Sequence, residues 1–307
     1  MTVELIAHTP DPEKVVAAAA KLCYSNSSIQ DLMDGLTDEK VDEFLNRLSS
    51  LGHASPTEHV TFTFGIESVS RSLLAQITRH RIASFSVQSQ RYVRMNNAEI
   101  IIPDVIDEDS EAREVFEQAI QTAEYSYKHL CQILEDKITE ELMVADSRLT
   151  EKKARAKASK IANENARSVL PNACSTKMIV TMNARSLNNF FNLRCCERAQ
   201  PEIRELATEM LKLVYPIAPH LFKYAGPNCC GNGCTEGMMS CGKFHEIRDK
   251  YDKLKQEAFK WKHLMTSRKI QTILPTTEAQ IIRMKQLRCF MNGDWTRMLI
   301  FGTLVSI

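Results

Sequence analysis

Twice along this chain the spacing of apolar residues changes from a strand period to a helix period, and that repeated change limits what the chain can fold into. In His59–Ile66, Val60, Phe62, Phe64 and Ile66 alternate with Thr61, Thr63 and Gly65, as in a strand with one buried face. A helix over Ser70–Thr78 follows. Thr176–Met182, TKMIVTM, has the β-branched content of a second strand, and Asn183–Arg194 reads as the helix behind it. The two strand–helix units frame two polar-rich segments, which predicts one site assembled from distant parts of the chain.

Helices are expected over Asp11–Cys23, with a proline in its first turn, and over Asp38–Leu51, where Val41, Phe44, Leu45 and Leu48 follow i, i+3, i+4, i+7. Longer charged helices are expected over Glu108–Glu141 and Thr150–Val169. Arg79–Arg91 lacks a clean period and reads as a loop leading into a short strand. After Tyr224 the chain becomes AGPNCCGNGCTEGMMSCGK and then a Lys-rich helical tail, so the final stretch of about sixty residues reads as appended. The expected organisation is an α+β domain over 1–254, with an antiparallel or mixed sheet packed by helices, and a mostly helical extension over 255–307. The extension ends in MLIFGTLVSI, an aggregation-prone strand if left exposed.

At 307 residues the chain buries a core without metal or disulfide staples. Its 39 Lys and Arg balance 38 Asp and Glu, which excludes a global field for polyanions and leaves only local basic clusters. The N-terminus MTVELIAHTPDPEK has acids and a proline where a secretory signal needs a basic start, and Met298–Ile307 is too short to span a bilayer. A cytoplasmic protein with mostly reduced cysteines is expected, without membrane or nucleic-acid partners.

Several motifs fail on inspection. Gly237-Met-Met-Ser-Cys-Gly242-Lys243 has P-loop spacing, but Phe244 stands where a magnesium-binding Ser or Thr belongs. Gly231-Asn-Gly233 carries Glu236 at the third glycine position of a dinucleotide fingerprint. Cys229, Cys230, Cys234 and Cys241 could hold zinc, yet their spacing lacks paired knuckles, and reduced loop cysteines without metal are expected. No GxSxG elbow is present.

The informative segment is Arg79-His80-Arg81-Ile82-Ala83-Ser84-Phe85-Ser86-Val87-Gln88-Ser89-Gln90-Arg91-Tyr92. Its guanidinium forks match phosphate oxygens, and the Gln88 and Gln90 amides suit a base edge. From composition alone a nucleotide pocket and a solvated basic turn with serine caps are equally good readings. The string fits the pattern RHR-x₂-S-x₄-S-x-R at every fixed position, and SPTEHVTFTF, NARSVLPN and NARSLNNFFNLR stand in the accompanying order. In these respects the chain resembles the flavin-dependent thymidylate synthases over roughly Met1 to Leu254.

That resemblance implies reductive methylation of dUMP to dTMP, with methylenetetrahydrofolate as carbon donor, FAD as hydride carrier and NADPH as reductant. It implies FAD contacts from Ser55, Glu58, Arg79, His80, Arg81, Val87, Asn183, Arg185 and Asn189. It implies dUMP contacts from Gln76, Arg79, Val87, Gln88, Ser89, Gln90, Arg91, Arg167 and Arg194, with backbone groups serving at Val87 and Gln88, where the family carries other residues. Arg194 is the expected catalytic group, since a fixed positive charge beside the uracil favours the ionised ring nitrogen. If Asn183–Arg198 is helical, Arg185 and Asn189 share one face while Arg194 and Arg198 share the opposite one. The two sets are then expected to serve sites on different subunits, in keeping with the family's homotetramers and shared active sites. The rival from another class is an RNA- or single-strand-binding protein stacking bases on Phe85 and Tyr92; a scaffolding protein would leave the Arg/Ser/Gln segment unexplained.

Overall fold

The computed structural model describes residues 1–50, 53–94, 99–231 and 233–266, so the expectations for MLIFGTLVSI and for the rest of the tail fall outside the described residues. The chain divides into compact units Met1–Lys255 and Gln256–Ile307.

The first unit opens with β1 (Thr2–His8), then α1 (Pro12–Leu22), α2 (Ile29–Asp34) and α3 (Asp38–Ser50). A 3₁₀ turn at Ser55–His59 leads into β2 (Thr61–Ser70), α4 (Arg71–Ile77) and β3 (Ser84–Val87). Then come α5 (Asp104–Asp107), α6 (Ser110–Ala145), α7 (Glu151–Ala166), β4 (Ser175–Asn183), α8 (Ala184–Arg194) and α9 (Pro201–Val214), and α10 (Phe244–Thr266) contributes its residues up to Lys255. The sheet is wholly antiparallel in the order β1-β2-β4-β3. With helices segregated from it, this is an α+β architecture. Among the described residues no helix is long and apolar enough to cross a membrane.

The alternation read from the sequence sets which way the sheet faces. Phe62, Phe64 and Ile66 of β2 and Val180 of β4 are fully buried, and they join Leu187, Phe190 and Phe191 of α8 and Ile203, Leu206 and Met210 of α9 in one core. On the opposite face Thr63 and Thr181 share a hydrogen bond of 2.9 Å, and Ile179 is half exposed. Pro56 helps bend the chain into the 3₁₀ turn, so β2 starts two residues later than expected and runs on to Ser70. The start of α4 is fastened from α9: Glu202 accepts from the Ser70 amide at 2.6 Å and its hydroxyl at 2.5 Å, while the Ser70 Oγ caps Leu73 N at 3.0 Å.

The hairpin of α6 and α7 has a smaller core of its own. Ala154, Ala158, Ala162 and Ala166, four residues apart, form a buried stripe on α7, and Tyr127 and Cys131 are buried on α6. The reading of the last sixty or so residues as wholly appended is corrected by the start of α10. Ile247 and Tyr251 lie one helical turn apart in the main core, and the Tyr251 hydroxyl donates to the Cys195 carbonyl at 3.1 Å. The helix is polar overall, which masked this short stripe. Strand β1 and helix α9 were also absent from the sequence expectations.

Truncating Phe64 to Ala should lower the unfolding free energy by about 3–5 kcal/mol, and Glu202→Ala, which orphans the Ser70 donors, by about 1–3 kcal/mol. Urea denaturation midpoints read both.

Candidate functional site

The register of the central strand pair creates the site. Thr61 of β2 stands opposite Asn183 at the end of β4, so the turn before β2 lies beside the start of α8. There Asn183 caps the helix, its Oδ1 accepting from Ser186 N at 2.8 Å. An open cleft of about 500 Å³ forms between this helix start, Glu58 of the turn and the segment His80–Ile82 that follows α4. Arg185 pairs with Glu58 across its mouth, and Ser186 and Asn189 complete the wall.

His80 joins this cleft to Arg194. Its ring meets Phe190 edge-on with centroids 5.0 Å apart. Arg194 Nε–H donates to His80 Nε2 at 3.2 Å. A permanently protonated donor requires Nε2 to be the acceptor, so the imidazole is neutral with its proton on Nδ1. Burial and then the Arg194 charge hold its pKa down to about 4. Burial and the nearby Arg79 in turn pull Arg194 below the usual guanidinium value.

The structure therefore gathers Glu58, His80, Arg81, Asn183, Arg185 and Asn189 in one cleft and ties Arg194 to it. Ser55 lies on the same 3₁₀ turn but outside the cleft lining, and Gln76 of α4 donates to Gln200 at 3.4 Å. Arg79 precedes His80 and lies close enough to Arg194 to act on its charge, whereas the remaining predicted residues lie elsewhere. Val87 pairs with Met178, and Gln88 N donates to Lys177 O at 3.0 Å, near the other end of β4 from Asn183. At strand rise that separation is roughly 20 Å. In the same region Ser89 Oγ accepts from Arg91 N at 3.2 Å, and Arg91 pairs with Glu164 of α7 at 2.9 Å. Gln90 is half-buried beside them in sequence, and Arg167 opens the 3₁₀ turn after α7.

One geometric expectation is corrected. Helix α8 stops at Arg194 with Cys195 as its C-cap, so Arg198 is not on the helix, and it pairs with Glu236 instead. Nor does the helix body cut Arg194 off from the cleft of Arg185 and Asn189, because the His80 segment crosses Phe190 and touches both sides.

Sequence reasoning missed Ile82 and Ser186 in the cleft, and it missed Arg71. The Arg71 Nη2 donates to the Gln88 carbonyl at 2.9 Å, and its Nε is buried with no hydrogen-bond partner among the described residues. Burial and then Arg167 pull its pKa down, with Cys174 acting the other way between them. An arginine at the first position of a helix opposes the macrodipole, which was the available signal.

The profile of the family described as thymidylate synthase complementing protein matches residues 4–220. A flavin-dependent thymidylate synthase from Clostridium tetani is 52% identical over 249 residues, covering 81% of this chain and 96% of that one. The chain belongs to the flavin-dependent thymidylate synthase family. A family member from Geobacter sulfurreducens is 46% identical over 250 residues, covering 81% and 97%. A solved family member, from Helicobacter pylori complexed with FAD and dUMP, has a TM-score of 0.49 at 22% identity, covering 74% of this chain and all of that one.

In an NMR titration His80 should stay neutral until the pH falls to about 4. Its folded pKa lies below the unfolded value of about 6.5, so the unfolded chain binds the proton first. This group's contribution to stability is therefore present above about pH 6.5 and declines as the pH falls toward 4. Arg194→Ala should raise the His80 pKa; an unchanged value would remove Arg194 as a cause.

Proposed function

We propose that this chain makes dTMP from dUMP, with methylenetetrahydrofolate as carbon donor, FAD as hydride carrier and NADPH as reductant. The observation that carries the reading is the contact of Arg194 with a neutral His80 on the wall of a cation-lined cleft. The cleft fits a flavin dinucleotide: its volume is that of a ligand site, and Arg81 and Arg185 offer guanidinium forks to a diphosphate. Asn183, Asn189 and His80 would hold the rest of the cofactor, with Glu58 orienting Arg185. FAD, when bound, supplies the hydride carrier.

Arg194 is the catalytic residue in this reading. Its charge lies where burial strengthens electrostatic effects. Beside the uracil it favours the ionised ring nitrogen, which makes the ring carbon more nucleophilic toward the methylene group. His80, accepting from Nε, fixes the plane of the guanidinium and leaves its remaining N–H groups for the nucleotide. Gln76 and Arg79 would meet dUMP from α4 and the loop after it.

The phosphate set Gln88, Ser89, Gln90, Arg91 and Arg167 is placed with Val87 near the far end of β4, so a complete site takes that set from a neighbouring subunit. Homotetramers with shared sites, in the cytoplasm, are the assembly this reading requires, with residues 1–254 as the catalytic domain and 255–307 as an extension. The single-strand-binding alternative is weakened because Phe85, one of its two stacking rings, packs against the core.

The purified protein should be yellow or bind added FAD, and it should oxidise NADPH in a dUMP-dependent way; failure of both would sink the enzyme reading. Arg194→Ala should lower turnover about 10²–10³-fold with little loss of flavin, whereas equal loss of both would make the residue structural. Light scattering should give four times the 34.9 kDa chain mass. A concentration-independent monomer with full activity would refute the shared site.

A further inference from the structure

Four thiols from separate parts of the chain line one small cavity that shares no residue with the flavin cleft. Cys196 comes just after α8, Cys229 from a 3₁₀ turn at Asn228–Cys230, and Cys234 and Cys241 from the loop leading into α10. The cavity holds about 20 Å³. That is room for one water-sized body and too little for an organic ligand.

Charged groups of both signs stand around it, with Glu197 and Glu236 in its lining. The Arg248 guanidinium grips the Cys229 carbonyl through Nη2 at 2.9 Å and Nε at 3.3 Å, and Arg198, paired with Glu236, lines the cavity. Gly233 and Gly242, the immediate neighbours of Cys234 and Cys241, have φ of 90° and 75° with open space where a Cβ would be. Such positions let a chain turn a thiol inward without strain. Four thiols around one cavity make a soft donor set of the kind that holds zinc. Cys230 is separate: it lies outside the cavity lining, and its sulfur lies 3.1 Å from where a Cβ on Gly226 would sit.

We propose that Cys196, Cys229, Cys234 and Cys241 bind one structural zinc ion, which pins the loop before α10 to the end of the helix carrying Arg194. Each ligating thiol gives its proton to solvent as the Zn–S bond forms. Among the described residues the sole trio with ligand atoms all within 4.8 Å is Glu13, Asp42 and His220, so the thiols are spread wider than that. Sulfurs around tetrahedral zinc are roughly 3.8 Å apart, and the glycine-flanked loop therefore draws in on binding. The trio itself needs no ion, because His220 already donates its amide to Glu13 at 2.6 Å and its ring nitrogen lies 3.0 Å from the same carboxylate.

The test uses the full-length, flavin-loaded protein, reduced, stripped by a chelator and then given zinc. Elemental analysis should find one zinc per chain, and zinc-edge X-ray absorption should show sulfur neighbours. Cys234→Ser and Cys241→Ser should each cut bound zinc to less than about a tenth, while Cys230→Ser and Cys23→Ser leave it at one. Flavin content in the same samples reports that the fold persists. The proposal is overturned if the reduced wild-type protein takes up no stoichiometric zinc, if the double variant Cys234→Ser/Cys241→Ser retains it, or if the four cysteines hold an iron–sulfur cluster or disulfides instead.

Discussion

Everything in the catalytic unit depends on the antiparallel pairing of β2 with β4. These strands are more than a hundred residues apart in sequence, yet Thr61 to Ser70 runs against Ser175 to Asn183 in one ladder. Because a strand has a side-chain period of two, one register buries Phe62, Phe64 and Val180 together, and a slip of one residue would expose all of them. The same register sets the turn of Glu58 against the start of α8. A constraint imposed by burial on one face thus decides where the polar groups meet at the strand ends.

The chemistry of the cleft then follows from how charge is distributed over a small volume. Arg79, Arg81, Arg185 and Arg194 crowd one end of the sheet, and among the described residues only Arg185 has a carboxylate partner there, Glu58. A protonated His80 would add a further positive charge against Arg194 in a half-buried place. The imidazole remains neutral instead and serves as an acceptor, which lets a guanidinium sit beside it. Uncompensated positive charge of this kind suits a polyanionic ligand, and the near-equal count of acids and bases over the whole chain conceals it.

The far end of β4 repeats the theme with different parts. Arg71 and Arg167 approach each other near the Gln88 carbonyl, and Arg91 is held by Glu164. One chain therefore carries two cationic ends joined by a strand, neither of which holds the whole predicted set. The loop beyond α9 adds a third chemical feature, and it reaches the first end through the short link from Arg194 to Cys196.

The sequence by itself determined the two strand–helix units, since apolar periodicity is a local property that survives without tertiary context. It also determined the family, because Arg79–Arg91 carries its pattern in contiguous residues. What only the tertiary structure decided depends on contacts between segments far apart in the chain. Edge strand β1 has a weak burial pattern and needs β2 to exist at all. Arg198 left the helix because α8 ends at Cys195, and Tyr251 joined the core because a polar helix carries one short apolar stripe. Arg71 carries only a weak local signal, its place at a helix start, and the burial of its Nε is a tertiary result; Cys196 has three thiol neighbours only because the loop beyond α9 folds back. Periodicity and contiguous motifs are written along the chain, whereas convergence at a site is written in strand register and in the paths of loops.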